Sequence, residues 1–225
     1  MPSVVQAKAD VSKTAEIFAA LPQTQCTRCG YPDCQAYASA IANDGAAINQ
    51  CSPGGAEGIA RLSRITGLAV QPLNPENGIE GPRSVAFIIE DWCIGCTLCL
   101  DVCPTDAIIG SNKLMHTVIE PHCTGCELCI PVCPVDCIEL ENVTGALTGW
   151  AAWSAGAAND ALKRYENHII LGSRYAGYKA ISSIKKTEEK PANLAEHSQH
   201  TDPAIIDRKR AVIEAAMAKA RAKRV

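Results

Sequence analysis

The sequence predicts an α+β fold in three parts: a small helical module, a duplicated domain of short strands, and a helical C-terminal extension. Three observations indicate this. Apolar residues recur at helical spacing before residue 70, a block of thirty residues occurs twice between positions 84 and 142, and helical spacing returns after residue 143. A hydrophobic fraction of 47% in 225 residues is enough for one to three small units with their own cores.

Residues 1–70 are predicted to form the helical module. A first helix spans about 10–21 and ends before Pro22, because proline cannot continue it. Two further helices are predicted over 33–44 and 56–67, where apolar side chains recur on one face. The module is therefore expected to pack as three short helices.

A linker over 71–83 and an internal duplication over 84–142 follow. The linker contains three prolines and two glycines. In the duplication, strand-like runs VAFII and HTVI precede two cysteine-rich loops, and the runs AII and CIEL follow them. Each half therefore has the predicted order strand, ligand loop, short helix, strand.

Residues 143–225 are predicted to form a helical, basic extension. One helix is indicated over 149–165, with two tryptophans in its packing stripe. The polar stretch near 187–202 is expected to be mobile. A final helix is expected to begin at Asp202, where a plausible N-cap precedes a proline.

Charge is distributed unevenly along the chain. Residues 84–142 carry nine acidic side chains against Lys113 alone, a formal charge of −8, whereas 143–225 carry fourteen basic and eight acidic side chains, a charge of +6. Partner surfaces that face the acidic domain are therefore expected to be basic.

The cysteines carry the strongest functional signal. Eight of the thirteen form two runs, CIGCTLCLDVCP from Cys93 and CTGCELCIPVCP from Cys123, each spaced C-x2-C-x2-C-x3-C-P. This spacing is typical of a two-cluster [4Fe-4S] ferredoxin domain, in which three cysteines of a run bind one cluster and the fourth binds the other. Set A is therefore predicted to be Cys93, Cys96, Cys99 and Cys133, and set B to be Cys123, Cys126, Cys129 and Cys103.

Cys137 is left over from these sets. Its counterpart in the first half is Ala107, so we expect it to pack as a small buried apolar residue and not to bind metal. Gly95 and Gly125 lie inside the two loops, where the absence of Cβ permits close approach of the backbone.

A further set lies upstream. Cys26, Cys29, Cys34 and Cys51, spaced C-x2-C-x4-C-x16-C, form the N-terminal set. Taken alone, this spacing is compatible with a [2Fe-2S] centre or zinc as well as with a [4Fe-4S] cluster. Disulfides are disfavoured, because charged residues interrupt the N-terminal segment where a signal peptide needs an apolar core, and a reducing cytoplasm is expected.

Residues 20–142 resemble the B subunit of the Rnf (or Rsx) ion-translocating electron-transport complex. The resemblance rests on CTRCGYPDCQAYASAIANDGAAINQCSPGG, followed by the duplicated ferredoxin region in the family's domain order. It implies that the N-terminal set binds a third [4Fe-4S] cluster. Members of the family typically start with a hydrophobic membrane anchor, and this chain is expected to be a soluble variant without one.

The predicted function is the transfer of low-potential electrons through three [4Fe-4S] clusters. The expected partners are a redox protein donor, a redox protein acceptor and other Rnf-like subunits. No nucleophile-base pair, phosphate loop or nucleotide fingerprint is present, so the chain is interpreted as an electron carrier without a substrate site of its own. The expected location is the cytoplasm, with peripheral contact at the cytoplasmic face of the inner membrane.

The alternative function is a nucleic-acid-binding redox sensor that uses the basic C-terminal helix. Seven basic residues against three acidic ones over 202–225 motivate it. No recognition motif accompanies that modest excess of charge, so nucleic acid is not the favoured partner.

Overall fold

The computed structural model describes residues 13–172 together with residues 203, 207 and 211. The chain divides into two compact units, Met1–His168 and Ile169–Val225. The polar stretch near 187–202 and most of the predicted final helix lie outside the described residues. None of the helices in the described part of the chain has the combined length and apolar character that a membrane span requires.

Three helices form the N-terminal module: residues 13–19 (α1), Cys34–Asn43 (α2) and Gly55–Thr66 (α3). The Asp33 carboxylate starts α2, because it accepts a hydrogen bond from the Ala36 backbone N–H at 2.7 Å. Gly67, in the left-handed conformation with φ +77°, ends α3. Both helices agree with the sequence prediction to within one residue at each end.

Tyr37 lies at the centre of the module's core. Its hydroxyl donates to the Ala47 carbonyl at 2.7 Å and accepts from the Gln50 backbone N–H at 3.1 Å. These bonds connect α2 to the loop that leads into Cys51, which places the last cysteine of the N-terminal set beside the first three. The other large buried side chains of this core are Ile17, Leu21, Ile41, Ile48, Ile59 and Leu62.

The stretch interpreted as a linker forms hydrogen bonds both to α3, which precedes it, and to a segment that follows the duplication. The Glu80 carboxylate accepts from the Ala56 backbone N–H at the start of α3 and from the Thr148 hydroxyl, both at 2.8 Å. Gly55 has φ +57°, and a Cβ at this position would overlap the Glu80 carboxylate. The contact therefore requires glycine at position 55. The domain boundaries themselves stay a prediction.

Four short strands follow: Ser84–Ile88 (β1), Ile108–Ile109 (β2), Thr117–Val118 (β3) and Ile138–Asn142 (β4). β1 pairs antiparallel with β4, and β2 pairs antiparallel with β3. The first strand of each half of the repeat thus pairs with the last strand of the other half. The two halves form a joint core in which most of the cysteines are buried.

The backbone repeats its unusual conformations at an offset of thirty residues. Left-handed φ values occur at Gly95 and Gly125 (+66° and +69°), at Thr97 and Glu127 (+67° and +66°), and at Asp106 and Asp136 (+47° and +49°). A Cβ on Gly95 would lie 2.6 Å from the Leu114 backbone, and one on Gly125 would lie 2.5 Å from the Ser84 carbonyl oxygen. The loop glycines therefore allow a close approach to another part of the backbone.

One half contains a helix that the other lacks. Helix α4 (Leu98–Asp101) follows the first ligand loop, and its Asp101 N–H donates to the Thr97 carbonyl at 3.3 Å. The equivalent residue of the second half is Pro131, which has no N–H to donate, and residues 128–132 form turns. The prediction of a short helix in both halves is therefore wrong for the second.

The helix predicted over 149–165 is broken in the structure. Helix α5 (Gly149–Ala152) ends at Trp153, and a second helix, α6, covers residues 155–168 of the first unit. The Ser154 hydroxyl accepts from the Ala157 N–H at 3.1 Å, so Ser154 starts a new helix. Three residues of the predicted packing stripe, Trp150, Trp153 and Ala161, are buried, whereas Ala157 and Tyr165 are only partly buried.

Candidate iron-sulfur sites

The four cysteines of set A line one cavity. The walls of the cavity include Cys93, Cys96, Cys99 and Cys133. Three of these residues come from the first run and Cys133 comes from the second. The remaining walls are mostly apolar, from Ile88, Ile94, Val135 and Ile138, with His116 and Cys137 completing them.

The four cysteines of set B line a second cavity, whose walls include Cys103, Cys123, Cys126 and Cys129. Here the fourth cysteine comes from the first run. Two backbone N–H groups point at sulfur: that of Ala86 lies 3.5 Å from Cys123 Sγ, and that of Ala107 lies 3.2 Å from Cys103 Sγ.

Within the described residues, no group of three or more His, Cys, Asp or Glu side chains is compact enough to hold one metal ion.

Burial and crowding disfavour the thiolate form of one thiol in set A and of two thiols in set B. Burial raises the pKa of the Cys99 thiol to about 11, and negative charge on Cys96 and Cys93 adds to the rise. In set B, burial raises the pKa of Cys129 to about 12 and that of Cys126 to about 11. Since the thiolate is the form that binds metal, a positively charged group among the sulfurs would favour the ionisation of these three thiols.

Cys137 lies next to set A. Its Sγ is 3.5 Å from Cys133 Sγ, and burial raises its pKa to about 12. Burial alone would raise the pKa of Cys133, but hydrogen bonds from the backbone N–H groups of Val135 and Cys137 and from the Cys137 thiol outweigh it and lower that pKa. Cys133 is therefore the thiol of the pair that ionises more readily.

The N-terminal set is held by a loop with alternating backbone handedness. Gln23, Gln25 and Thr27 all have positive φ, at +58°, +52° and +58°. Alternation of this kind turns neighbouring backbone N–H groups toward one side and suits them to an anionic ligand. The cysteines of the set lie close enough that burial, followed by negative charge on the other members, raises the pKa of Cys51 well above its ordinary value.

Two glutamines fix this loop. Gln23 Nε2 donates to the Phe18 carbonyl at 2.6 Å, and Gln25 Nε2 donates to Gln23 Oε1 at 3.2 Å. Gln25 Oε1 then accepts from the Cys34 backbone N–H at 2.9 Å. Sequence reasoning missed both glutamines, because only their burial, at 3% and 2% exposure, distinguishes them from surface polar residues.

The ligand loops of the N-terminal set and set B touch each other. Arg28, between Cys26 and Cys29, forms an ion pair with Glu127 at 2.6 Å and donates to the Gly125 carbonyl at 3.4 Å. The Thr124 hydroxyl donates to the Thr24 carbonyl at 2.9 Å. All of the set B residues in these contacts lie in the loop from Cys123 to Cys129, so this loop faces the N-terminal module.

Comparison with known proteins agrees with these cysteine sites. A family model described as a 4Fe-4S dicluster domain matches residues 86–140, and one described as a putative Fe-S cluster matches residues 21–53. The B subunit of an ion-translocating oxidoreductase complex from Azoarcus sp. (strain BH72) is 58% identical over 135 residues, which are 60% of this chain and 74% of that protein. The chain belongs to the family of these B subunits.

Two further relatives carry the same name. The protein from Shewanella oneidensis is 56% identical over 135 residues, 60% of this chain and 69% of its own, and that from Thiobacillus denitrificans is 51% identical over 117 residues, 52% and 62%. No solved structure matches this chain. The family resemblance predicted from the sequence is confirmed, and so is the presence of a 4Fe-4S dicluster domain.

In this member of the family, the donor chemistry fits iron-sulfur clusters. Four thiols surround each of the cavities of sets A and B, apolar side chains close most of the remaining walls, and backbone N–H groups reach set B sulfurs. Thiolate ligands, partial exclusion of water and N–H donors to sulfur are the protein features that hold and tune such clusters.

Sequence reasoning missed two arginines and a histidine that the fold places against tryptophan rings or cysteines. Arg83, within the stretch interpreted as a linker, donates to the Cys123 carbonyl at 2.6 Å, and its guanidinium lies 5.0 Å from the Trp153 ring centroid. Arg61 lies 3.8 Å from the Trp150 ring centroid. His116 is buried against set A. Contacts between distant parts of the chain position all three, and no short motif marks them.

Proposed function

We propose that the chain carries electrons along three [4Fe-4S] clusters, bound by the N-terminal set, set B and set A in that spatial order. It does so as the iron-sulfur component of an ion-translocating oxidoreductase complex, the assembly in the names of its relatives. The observation that carries this proposal is the direct contact between the ligand loops of the N-terminal set and set B.

The first step of the relay uses that contact. Electron transfer slows steeply with distance, so neighbouring clusters need ligand loops that touch. Arg28 and Glu127 are loop residues of the two sets and form an ion pair, and Thr124 donates to the Thr24 carbonyl. Because these residues lie within two positions of cluster cysteines, the loops bring the two cofactors together.

The second step, between set B and set A, follows from the repeat. Cys99 and Cys103 lie four residues apart, about one helical turn, and belong to different sets, as do Cys129 and Cys133. The N–H of Cys103 donates to the Leu100 carbonyl and that of Cys133 donates to the Ile130 carbonyl, so both turns are closed by backbone hydrogen bonds. We interpret the two halves as a duplicated module whose crossed ligands hold the clusters at a short, fixed separation.

Set A forms the outer end of this relay. Segments at residues 92–98 and 113–115 lie beside it, and the Lys113 N–H donates to the Gly95 carbonyl at 2.9 Å. They carry exposed apolar side chains, namely Ile94, Leu98, Leu114 and Met115. An exposed apolar group beside a redox site, within a domain of charge −8, suits a redox partner with an apolar centre and a basic rim.

The residues of the chain hold and insulate the clusters. When bound, each cluster supplies the one-electron redox change. The cysteines fix its position, the apolar walls restrict water, and the backbone N–H groups of Ala86 and Ala107 donate to set B sulfurs. The relay therefore requires no substrate pocket and no acid-base group.

Iron and sulfide analysis after anaerobic reconstitution, followed by a potentiometric titration monitored by electron paramagnetic resonance, tests the proposal. We expect about twelve irons and twelve sulfides per chain and three reducible couples. A content near eight irons per chain would contradict the presence of a third cluster. The absence of any reducible cubane signal would overturn the proposed relay. As a control, replacement of Cys26 and Cys29 by alanine should lower the iron content by about a third and leave the signals of the other two clusters intact.

A further inference from the structure

His116 is buried against the thiols of set A. Its side chain is 1% exposed, and Nδ1 lies 3.5 Å from Cys99 Sγ and 3.7 Å from Cys93 Sγ. Its other ring nitrogen, Nε2, is buried without a hydrogen-bond partner among the described residues. The sulfur contacts are therefore the polar interactions that orient the ring. Because a cluster-bound thiolate only accepts hydrogen bonds, Nδ1 carries the hydrogen in this arrangement.

Set B has no such side chain. The residue thirty positions before His116 is Ala86, which lines the set B cavity with its methyl group. The backbone of Ala86 donates to Cys123, but its side chain offers no donor. The duplicated domain therefore places an imidazole at one cluster site and a methyl group at the other.

The space for the imidazole is provided by a second difference between the halves. A Cβ on Gly110, which has φ +155°, would overlap the His116 ring. The counterpart of Gly110 is Leu140, which is the cross-strand partner of Ala86 in the pairing of β1 with β4. Extending the pairing of β2 with β3 by one residue places Gly110 opposite His116. The pair Gly110–His116 at set A thus replaces the pair Leu140–Ala86 at set B.

We propose that His116 donates a side-chain N–H···S hydrogen bond to the thiolates of Cys93 and Cys99 and thereby raises the reduction potential of the set A cluster. The inference rests on the proposed function, since it needs a cluster at set A. Reduction adds one negative charge to the cluster, and a donor at its sulfurs stabilises the more negative state. In the resulting transfer one electron leaves the set B cluster, which is oxidised, and enters the set A cluster, which is reduced, with no proton or other reactant.

The matched variants His116→Asn and His116→Leu test the donor directly. The two replacements have similar size, but only asparagine places an N–H donor near the position of Nδ1. For the reconstituted protein, we expect His116→Leu to lower the reduction equilibrium constant of one couple about tenfold, which is about 59 mV for a one-electron couple. His116→Asn should retain most of the wild-type value, and both variants should keep their iron.

A transplanted pair provides the second test. In the double variant Ala86→His and Leu140→Gly, the set A arrangement is placed at set B, and we expect a different couple to rise in potential. This variant is informative even where His116→Leu binds iron poorly. The inference is overturned by full iron content with all couples unmoved in His116→Leu, by equal shifts in the Leu and Asn variants, or by a transplant that moves no couple. Absence of reducible clusters in the unmodified protein would overturn the proposed function instead.

Discussion

Sets A and B are built from two twelve-residue runs with the same cysteine spacing, yet their surroundings differ. Set B faces the N-terminal module, through Arg28 and the Thr24 carbonyl, whereas the segments beside set A carry exposed apolar side chains. Set A has a buried imidazole, and set B has a methyl group in its place. The comparison teaches that the duplication repeats the cysteine spacing at both sets, while the contacts around each set are its own.

The largest expected effect comes from replacing the fourth cysteine of a set, which is the one that the other run supplies. Replacement of Cys133 by alanine should remove the set A cluster, about a third of the iron, although Cys133 belongs to the run that mostly serves set B. Replacement of Cys103 should remove the set B cluster instead. Iron analysis with electron paramagnetic resonance measures both outcomes.

Cys137→Ala is the matched control for this experiment, because its sulfur lies 3.5 Å from that of Cys133 in the same cavity wall. We expect no loss of iron, since Ala107 already occupies the equivalent position at set B. Loss of a cluster in the Cys137 variant, with the full iron content kept in the Cys133 variant, would mean that Cys137 and not Cys133 is the fourth ligand of set A.

A smaller effect is expected from replacing Trp153, which packs against an arginine bonded to set B. Trp153 is buried, its Nε1 donates to the Pro22 carbonyl at 2.8 Å, and Arg83, which bonds the Cys123 carbonyl, lies over its ring. Trp153→Ala should lower the free energy of unfolding by about 3–5 kcal/mol, measured by anaerobic chemical denaturation. Trp92, which precedes set A and is 61% exposed, is the control. A comparable loss of unfolding free energy on replacing Trp92 would contradict the expectation that the buried tryptophan stabilises the fold more than the exposed one.

The smallest effect is expected from the ion pair between the N-terminal set and set B. Arg28 and Glu127 side chains are 32% and 45% exposed, so solvent weakens their attraction. A double-mutant cycle with Arg28→Ala and Glu127→Ala should give a coupling free energy below about 1 kcal/mol. Thr97, the counterpart of Glu127 at set A, should show no coupling to Arg28. A coupling of several kcal/mol would mean that this single pair holds the two loops together.

The sequence predicts local features of the fold well. Helical spacing identified α2 and α3 to within a residue, and short strand-like runs identified all four strands. The errors have local physical causes. Pro131 removes a helix expected from its counterpart Asp101, and Ser154 starts a new helix after Trp153 by accepting a bond from the Ala157 N–H.

The surroundings of the sites depend on contacts that no spacing reveals. The cysteine sets can be assigned from motifs, but Arg28 and Glu127 are joined only because two regions fold against each other. His116 was one of five scattered histidines in the sequence. Comparison of His116 with Ala86, and of Gly110 with Leu140, was the signal that could have identified it. The assignment of the sets to clusters stays a prediction until iron is counted in the variants above.

The crossed pairing of strands bears on the ancestry of the domain. A single half would have β1 without its partner β4, and three thiols of one set without the fourth. Two copies of such a half, related by a twofold axis, would supply each other with the missing strand and the missing thiol. The domain thus has the arrangement of a symmetric peptide dimer joined into one chain. Once both halves were encoded together, each could change independently, and an imidazole could be acquired on one side alone.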